Sequence, residues 1–159
     1  MAVMKRLINM MTGAVMLLGM MTSCGKEPAA DTVDKAIVGE WHLVEVIYDG
    51  NSVNDMPVDV YLKIEGNCKF ELYQKADSQL RYTKFTGTCK TENGILSGVY
   101  SSGAAWGDEY ATAIVDEMLE LTNSDMLEVQ RFEKNALSDE EKADAVLSTR
   151  ADMDISPIL

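Results

Sequence analysis

The side chains that could carry out catalysis are few in this sequence and poorly placed for it. The chain has one histidine, His42, and none of its serines stands in the Gly-x-Ser-x-Gly pattern that presents a nucleophile on a strand-to-helix turn. The acidic pairs Asp108-Glu109 and Asp116-Glu117 could exchange protons in principle. They lie at predicted turns, however, where charged side chains are normally solvated. We therefore expect no enzymatic activity.

Metal ligation is not indicated either. Cys68 and Cys89 lack the Cys-x-x-Cys or Cys/His spacing of zinc sites. The acidic pairs lack the repeated oxygen ligands of a calcium loop. We expect neither a metal ion nor a cofactor.

The charge balance argues against a further class of function. The chain carries 14 Lys and Arg against 26 Asp and Glu, which gives a net charge of −12. So acidic a surface, without a cluster of basic residues, repels phosphate backbones, and we expect no nucleic-acid binding. The chain length suits one domain, which we expect to be monomeric.

The third cysteine, Cys24, indicates attachment to a membrane. It follows residues 1–23, which begin with Lys5 and Arg6, have a short apolar centre and end in small residues. This pattern is typical of a signal peptide and is too short for a membrane-spanning helix. The residues before Cys24 resemble the lipobox of bacterial lipoproteins, although Met21 stands where Leu is usual.

That resemblance implies that Cys24 carries lipid and becomes the mature N-terminus. The alternative is an ordinary signal peptide that is cut near an unrelated cysteine. The expected location is the outer membrane of the cell envelope, with the protein facing either the periplasm or the cell surface. Residues 24–36 are small and polar without periodicity, so we predict a tether between the anchor and the domain.

From residue 37 the chain consists of short apolar-polar alternations separated by turn residues, as in antiparallel β-structure. The turn signals include Gly66-Asn67 and Asn93-Gly94, of which the second is typical of a two-residue hairpin. The eight predicted strands span residues 39–48, 59–65, 68–74, 80–90, 95–101, 110–115, 118–122 and 126–132. Eight consecutive strands form either a two-sheet sandwich or a closed barrel, and closure leaves no exposed edge.

The pattern changes over residues 134–159. Ser138 and Glu141 form a capping box, which predicts a short helix that ends near residue 149. The apolar side of this helix is formed by Ala143, Val146 and Leu147. We expect the helix to pack on Val44 and Val46, and the apolar tail that follows it to dock on the domain.

The first and last strands carry residues that resemble the lipocalin pattern, namely Gly39-Glu40-Trp41 and Arg131. Over residues 37–133 the chain is similar to the small lipocalin-like domains of bacterial lipoproteins. The resemblance implies an eight-stranded up-and-down barrel in which Gly39 permits a tight turn and Trp41 closes the floor. Arg131 would stack on the indole, a cation–π contact worth about 0.5–2 kcal/mol. These three residues would close the fold and bind no ligand.

Two observations on the strands support the expected contact between Trp41 and Arg131. The first strand starts and the last strand ends at the same end of an eight-strand meander. Alternation places Leu127, Val129 and Arg131 on one face of the last strand, which we expect to be the inner face. The alternative is a β-sandwich in which Trp41 and Arg131 are core and rim residues.

Strand register also bears on the two remaining cysteines. If the turn between the third and fourth strands is centred on Ser78-Gln79, Cys68 lies opposite Cys89, close enough for a disulfide after small adjustments. An oxidising compartment favours that bond, which would stabilise the fold by about 3 kcal/mol. The alternative is two buried free thiols.

In this barrel the loops opposite Trp41 form the open end, or mouth. One of them contains Met56 and Pro57, and a glycine-flanked loop carries Trp106. We predict that these three residues contact a ligand or partner, although Trp106 could instead fold back as a lid over the core. Bulky inward residues such as Phe70 predict a shallow cavity at best.

The predicted function is that of a lipid-anchored envelope protein that binds a small apolar or amphipathic ligand. The alternative is a protein-interaction module with a filled core, such as an envelope adaptor or a small-barrel protease inhibitor. A cavity above about 300 Å³ with convergent polar groups would favour the first function. A filled core with an exposed apolar patch would favour the second.

Overall fold

Short segments of alternating polarity, separated by tight turns, give this chain its strands. The computed structural model describes residues 30–148 and 156–159, so the predicted signal peptide, Cys24 and the tether up to residue 29 lie outside the described residues. The described elements are a 3₁₀ turn (Lys35–Ile37), β1 (Gly39–Tyr48), β2 (Asn51–Val53), β3 (Val58–Ile64), β4 (Lys69–Ala76), β5 (Thr83–Glu92), β6 (Ile95–Tyr100), β7 (Tyr110–Val115), β8 (Met118–Asn123), β9 (Glu128–Lys134), α1 (Asp139–Asp144) and β10 (Val146–Leu147). No helix in these described ranges is both long and apolar enough to cross a membrane.

Eight of these strands close into one antiparallel barrel. The strands β1, β3, β4 and β5 pair in succession, as do β6, β7, β8 and β9. Pairing of β1 with β9 and of β5 with β6 completes the ring. The short β2 pairs with the end of β1, and β10 lies parallel to β5. The predicted fold class, mainly β with an eight-stranded barrel and a short helix, is confirmed.

Inward side chains fill the centre of the barrel. On β3, Val60, Leu62 and Ile64 point inward as their alternation predicts, and on β8 Leu119 and Leu121 do the same; none of the five is more than 1% exposed. Such aliphatic residues bury well because they carry no polar group that would lose its hydrogen bonds to water. These five side chains therefore occupy the middle of the barrel.

On β9, the last barrel strand, the inward-pointing residues are shifted by one position from the predicted ones. Leu127 has a φ of 54° and is 61% exposed, because it belongs to the turn before β9. On β9 itself Gln130 and Phe132 point inward, and Arg131 points outward. Since a slip of one residue moves every side chain of a strand to the other face, the predicted inner face of Leu127, Val129 and Arg131 is wrong.

The stacking of Arg131 on Trp41 is therefore wrong as well. The guanidinium of Arg131 lies on the outer surface, where Nη1 is 2.9 Å from Glu45 Oε2 and Nε is 2.8 Å from Glu120 Oε1. The hydrogen bonds to Ser52 and Arg131 lower the pKa of Glu45. Arg131 thus links β1, β8 and β9 from the outside of the barrel.

The floor of the barrel is closed by Trp41 and the residues just before it. Trp41 is 3% exposed, and its Nε1 donates a hydrogen bond of 2.9 Å to the carbonyl oxygen of Ile37 in the 3₁₀ turn. Gly39 has a φ of 156°, a conformation that side chains disfavour. Thr91 N donates to the carbonyl oxygen of Thr32 at 2.8 Å, so the domain begins before residue 37, within the predicted tether.

The helix packs on a different part of the barrel from the predicted one. Ser138 Oγ accepts a hydrogen bond of 3.2 Å from Glu141 N and donates one of 2.7 Å to Glu141 Oε2, so Ser138 caps α1 as predicted, but the helix ends at Asp144. Leu137, just before the cap, is buried against Tyr73 and Tyr82 on the outer face of β4 and the turn before β5. Lys142 also forms an ion pair with Glu40, at 2.8 Å.

The predicted platform and the predicted apolar side of the helix are both wrong. A bulge between Leu43 and Glu45 shifts the alternation of β1, so Val46 packs against the core and offers no outer platform beside Val44. Val146 and Leu147 are 51% and 55% exposed and lie in β10, not in the helix.

Candidate functional site at the barrel mouth

The mouth of the barrel presents polar side chains on an apolar wall. β4, β5 and β6 contribute Gln74, Phe85 and Tyr100, which are 6%, 5% and 8% exposed. Strand alternation positions Gln74, since it continues the inward series of Phe70 and Leu72 on β4. A glutamine amide that is so buried needs hydrogen-bond partners, and a segment distant in sequence supplies them.

Residues 156–159 lie across the mouth and provide those partners. Gln74 Oε1 accepts a hydrogen bond of 3.1 Å from Ile158 N, and Gln74 Nε2 donates one of 3.3 Å to the carbonyl oxygen of Ser156. Tyr100 Oη donates a bond of 2.6 Å to the main-chain oxygen of Leu159. The Leu159 side chain is 3% exposed and belongs to the core cluster. The prediction that the tail docks on the domain is confirmed for these four residues.

Tyr100 forms an aromatic wall together with Phe70 and Phe85, and this environment determines the protonation state of its phenol. Its ring packs edge-on against Phe70 and Phe85, at centroid distances of 5.5 and 6.1 Å. Burial, with a smaller contribution from Tyr110, raises the pKa of Tyr100. The phenol consequently stays protonated and remains a hydrogen-bond donor throughout the physiological pH range.

A cleft of about 300 Å³ adjoins this wall. Phe85 and Tyr100 border it on the barrel side, and Pro157 and Leu159 border it on the side of the docked segment, with Ser101 adding a hydroxyl group. Four more hydroxyl side chains line the cleft, namely Thr86, Ser102, Ser148 and Ser156. The cleft thus combines apolar surface with several polar atoms, as small-molecule sites do.

Two further polar atoms inside the barrel have no hydrogen-bond partner among the described residues, namely Trp106 Nε1 and Gln130 Oε1. Gln130 is 1% exposed, and its Nε2 donates to Glu128 Oε1 at 2.7 Å. A buried polar atom without a partner costs about 1–3 kcal/mol. The interior thus offers one unused donor and one unused acceptor.

The three residues predicted to contact a ligand at the mouth differ in their burial and packing. Met56 packs against the core cluster, and Pro57 is exposed. Trp106 is 6% exposed and lies inside the barrel, 5.0 Å from the ring of Phe70. The prediction of a mouth contact for Trp106 is therefore wrong, and the alternative, in which it folds back on the core, describes it better.

Trp106 can lie inside the barrel because the barrel wall has a gap between β6 and β7. β6 and β7 pair over only two residue pairs, and Trp106 N donates to the carbonyl oxygen of Gly98 on β6 at 2.9 Å. A Cβ on Gly98 would lie 2.3 Å from Trp106 Cε2. The indole therefore occupies space that only glycine leaves free.

The predicted disulfide is not formed. Cys68 and Cys89 are free thiols. The predicted register is nevertheless confirmed, since the pairing of Lys69 with Thr88 places Cys68 opposite Cys89, and Cys89 N donates to the carbonyl oxygen of Cys68 at 2.9 Å. Cys68 has a φ of 66° and its Sγ contacts the carbonyl oxygen of Asp31 at 3.1 Å. Cys89 points into the core, where burial raises its pKa to about 12. The side chains diverge because Cys68 belongs to the turn and not to β4.

The single histidine lies on the outer face of β1. His42 Nε2 is 2.8 Å from Asp59 Oδ1, and Nδ1 is 3.3 Å from Glu133 Oε1. Tyr61 stacks on the imidazole at 4.3 Å, and Tyr82 donates a hydrogen bond to Asp59. Within residues 30–148 and 156–159, no group of three or more His, Cys, Asp or Glu side chains could hold a metal ion.

The mouth residues Gln74, Tyr100 and Leu159 were missed by the sequence analysis. Gln74 could have been found, because it is a polar residue at an inward position of a predicted strand. Tyr100 and Leu159 carry no such signal, since their pairing depends on the closed barrel.

The fold and the mouth together define a small lipocalin-like barrel. A family model described as a lipocalin-like domain matches residues 37–127, which is more than half of the chain. The chain therefore belongs to the lipocalin-like domain family.

Comparison with solved structures finds one match with a TM-score above 0.5 and two below it. A lipocalin-like protein from Bacteroides uniformis superposes with a TM-score of 0.52 and 14% identity, over 63% of this chain and 99% of that chain. An uncharacterized protein from Bacteroides eggerthii gives 0.49 and 16%, over 62% and 98%. Lipoprotein YedD from Klebsiella pneumoniae gives 0.44 and 14%, over 74% and 88%. No curated protein matches the chain. At these identities the likeness concerns the fold alone.

Proposed function

We propose that this protein binds a small apolar or amphipathic ligand at the mouth of its barrel. One observation carries the proposal: Phe85 and the buried polar side chain of Tyr100 line a cleft of about 300 Å³. Gln74, a second buried polar side chain, bonds to the docked segment that borders this cleft. An apolar ligand would bury its surface against Phe85, and its polar group would bond to the amide or the phenol.

The proposal includes a lipid anchor at Cys24 and a location at the outer membrane. The sequence of residues 1–24 supports both. A tethered binding protein at this surface would hold an apolar ligand next to the membrane from which such molecules partition. Mass spectrometry of the protein purified from its own host tests the anchor, because a lipidated Cys24 adds the mass of its acyl chains and the Cys24→Ser variant does not.

Fluorescence titration with the neutral probe N-phenyl-1-naphthylamine tests the binding site. We expect saturable binding by the full chain, and at least about fivefold weaker binding by Phe85→Ala, since about 1 kcal/mol or more of apolar contact is lost. Leu80→Ala is the matched control, because Leu80 is 98% exposed. Equal binding by Phe85→Ala and Leu80→Ala would place the probe elsewhere. Native mass spectrometry would then search for small molecules retained from the host.

A second candidate function, protein interaction, is supported by β7. The strand extends beyond its two residue pairs with β6, and Ile114 and Val115 there are 42% and 43% exposed. An exposed strand edge with apolar side chains can pair with another chain. Loss of a pulled-down partner in Ile114→Lys, with unchanged probe binding at the mouth, would favour this function.

A further inference from the structure

The contacts at the mouth show how the barrel recognises a chain. The side-chain amide of Gln74 presents a donor nitrogen and an acceptor oxygen, as a peptide group does. Both are matched by the main chain of residues 156–159, through the Ser156 carbonyl and the Ile158 amide. Tyr100 completes the set by donating to the main-chain oxygen of Leu159.

All three hydrogen bonds are made to main-chain atoms, and the side chains contribute apolar surface. Leu159 is buried in the core cluster, and Ile158 packs against it. The contacts join positions that are 82, 84 and 59 residues apart in sequence, so the segment approaches the barrel as a separate ligand would. Its backbone supplies the polar recognition, and two side chains supply the buried area.

We propose that the mouth recognises an apolar chain that carries amide groups, and that residues 156–159 occupy this site as an internal competitor. The inference rests on the proposed function, because it assigns the ligand class of the same site. An external ligand can bond to the phenol of Tyr100 and the amide of Gln74 only after Leu159 leaves the core and residues 156–159 release both groups. An apolar peptide is the simplest ligand of this class.

The internal competitor lowers the affinity for every external ligand. A tethered segment acts at an effective concentration in the millimolar range. If the segment is docked about nine-tenths of the time, the apparent affinity of another ligand falls about tenfold. Releasing the segment should therefore strengthen external binding without any change in the wall of the barrel.

The test compares two full-length variants that each gain one carboxylate. Leu159→Asp places a charge where the core cluster requires an apolar side chain, and Leu80→Asp places the same charge on an exposed side chain. The probes are N-phenyl-1-naphthylamine and the capped peptide acetyl-Ser-Pro-Ile-Leu-amide. The readouts are probe fluorescence and the NMR signal of the Gln74 side-chain amide, which reports the two hydrogen bonds directly.

We expect Leu159→Asp to bind the fluorescent probe about tenfold more tightly than the wild-type chain or Leu80→Asp. In Leu159→Asp the Gln74 amide signal should move, and millimolar capped peptide should return it toward the wild-type position. The same peptide should leave the wild-type signal unchanged. Gln74→Leu removes this signal, so its effect is read by fluorescence. The peptide should displace the probe from Leu159→Asp, and the added Gln74→Leu substitution should abolish that displacement.

Other results separate the two proposals. Equal probe affinity in Leu159→Asp and the wild type would overturn the internal competition and leave the proposed small-molecule function standing. Peptide binding by Leu159→Asp, with no probe binding by any variant, would overturn the small-molecule function and leave the amide recognition standing. No response of the Gln74 signal to the peptide would overturn the amide recognition.

A milder variant covers the case in which Leu159→Asp fails to fold. Ile158→Ala removes apolar surface from the docked segment and leaves every main-chain hydrogen bond available. We expect a gain in probe affinity of about two- to fivefold. An unchanged or lower affinity in Ile158→Ala would contradict the inference.

Discussion

The two ends of this barrel are closed by the same means but from different parts of the chain. At the floor, the indole of Trp41 donates to the carbonyl oxygen of Ile37 at 2.9 Å, and the two residues are four apart in sequence. At the mouth, the phenol of Tyr100 donates to the main-chain oxygen of Leu159 at 2.6 Å, and those residues are 59 apart. Each end also buries one aliphatic side chain, Ile37 or Leu159, in the core.

The difference in sequence separation determines which end can open. The floor residues continue directly into β1, so Ile37 cannot leave without disturbing the first barrel strand. The mouth segment is held by Gln74, Tyr100 and its apolar side chains, and it can undock while the barrel stays intact. Local opening of this kind costs less free energy than global unfolding. We therefore expect the floor to contribute more to stability, and the mouth to be the end at which the proposed ligand would enter and leave.

The largest expected effect is at the floor. Trp41→Ala should lower the free energy of unfolding by about 3–5 kcal/mol, because a large buried side chain is replaced by a cavity. Urea unfolding followed by circular dichroism measures the loss. Val53→Ala is the control, since Val53 is 45% exposed and should change stability by less than about 0.5 kcal/mol. A loss below about 1 kcal/mol for Trp41→Ala would show that the floor is not part of the cooperative core.

The equivalent substitution at the mouth should lower the free energy of unfolding by a smaller amount. Leu159→Ala removes a side chain that is as deeply buried as Trp41, but the loss is limited to the free energy with which residues 156–159 dock. We expect a decrease of about 1.4 kcal/mol or less in the free energy of unfolding, which corresponds to the tenfold docking effect given above. This decrease lies below the usual range for buried leucine. A decrease as large as that of Trp41→Ala would contradict the proposed independence of the mouth segment.

A matched removal of one donor at each end sharpens the comparison. Trp41→Phe leaves the buried carbonyl oxygen of Ile37 without a partner, which should cost about 1–3 kcal/mol in addition to lost packing. Tyr100→Phe removes the bond to Leu159, but the freed oxygen can reach water when the segment undocks. We expect a cost below about 1 kcal/mol for Tyr100→Phe, measured by the same urea unfolding. The reverse order of the two costs would contradict the assignment of the ends.

The sequence predicted the barrel well because strand alternation and turn residues are local signals. It placed Val60, Leu62 and Leu121 correctly. It failed on Arg131 and Val46, because the turn at Leu127 and the bulge in β1 each shift the alternation by one residue. Neither the turn nor the bulge is marked by a distinctive residue composition, so the sequence did not predict these shifts.

The mouth was harder to predict for a different reason. Gln74 was within reach of the alternation on β4, whereas the partners of Tyr100 and Trp106 depend on which strands close the ring. The position of Trp106 follows from the gap between β6 and β7 and from the space at Gly98. Because such contacts join distant parts of the chain, local sequence patterns do not predict them.

The smallest expected effect is on the pH dependence of stability. It should show that titration of a group in the barrel wall leaves the mouth contacts unchanged. Burial alone raises the pKa of Glu71 on β4, but hydrogen bonds from Lys84 and Tyr73, with the charges of Lys84 and Lys63, outweigh it and hold the pKa below its ordinary value of 4.5. The Glu71 carboxylate therefore stabilises the fold above about pH 4.5. That contribution is lost as the pH falls through the lowered pKa of the folded state.

Urea unfolding between pH 7 and pH 3 should accordingly show a smaller loss of stability for Glu71→Gln than for the wild type. The difference should be about 1 kcal/mol or less, because the pair with Lys84 is partly solvated. Glu45 and Glu65, whose pKa values are also lowered by hydrogen bonds, supply the dependence that remains. The mouth contacts involve an amide and a protonated phenol, so the Gln74 side-chain signal should stay in place while Glu71 titrates. Movement of that signal together with the titration of Glu71 would mean that the wall and the mouth are coupled, and that the docked segment is released by acid as well as by ligand.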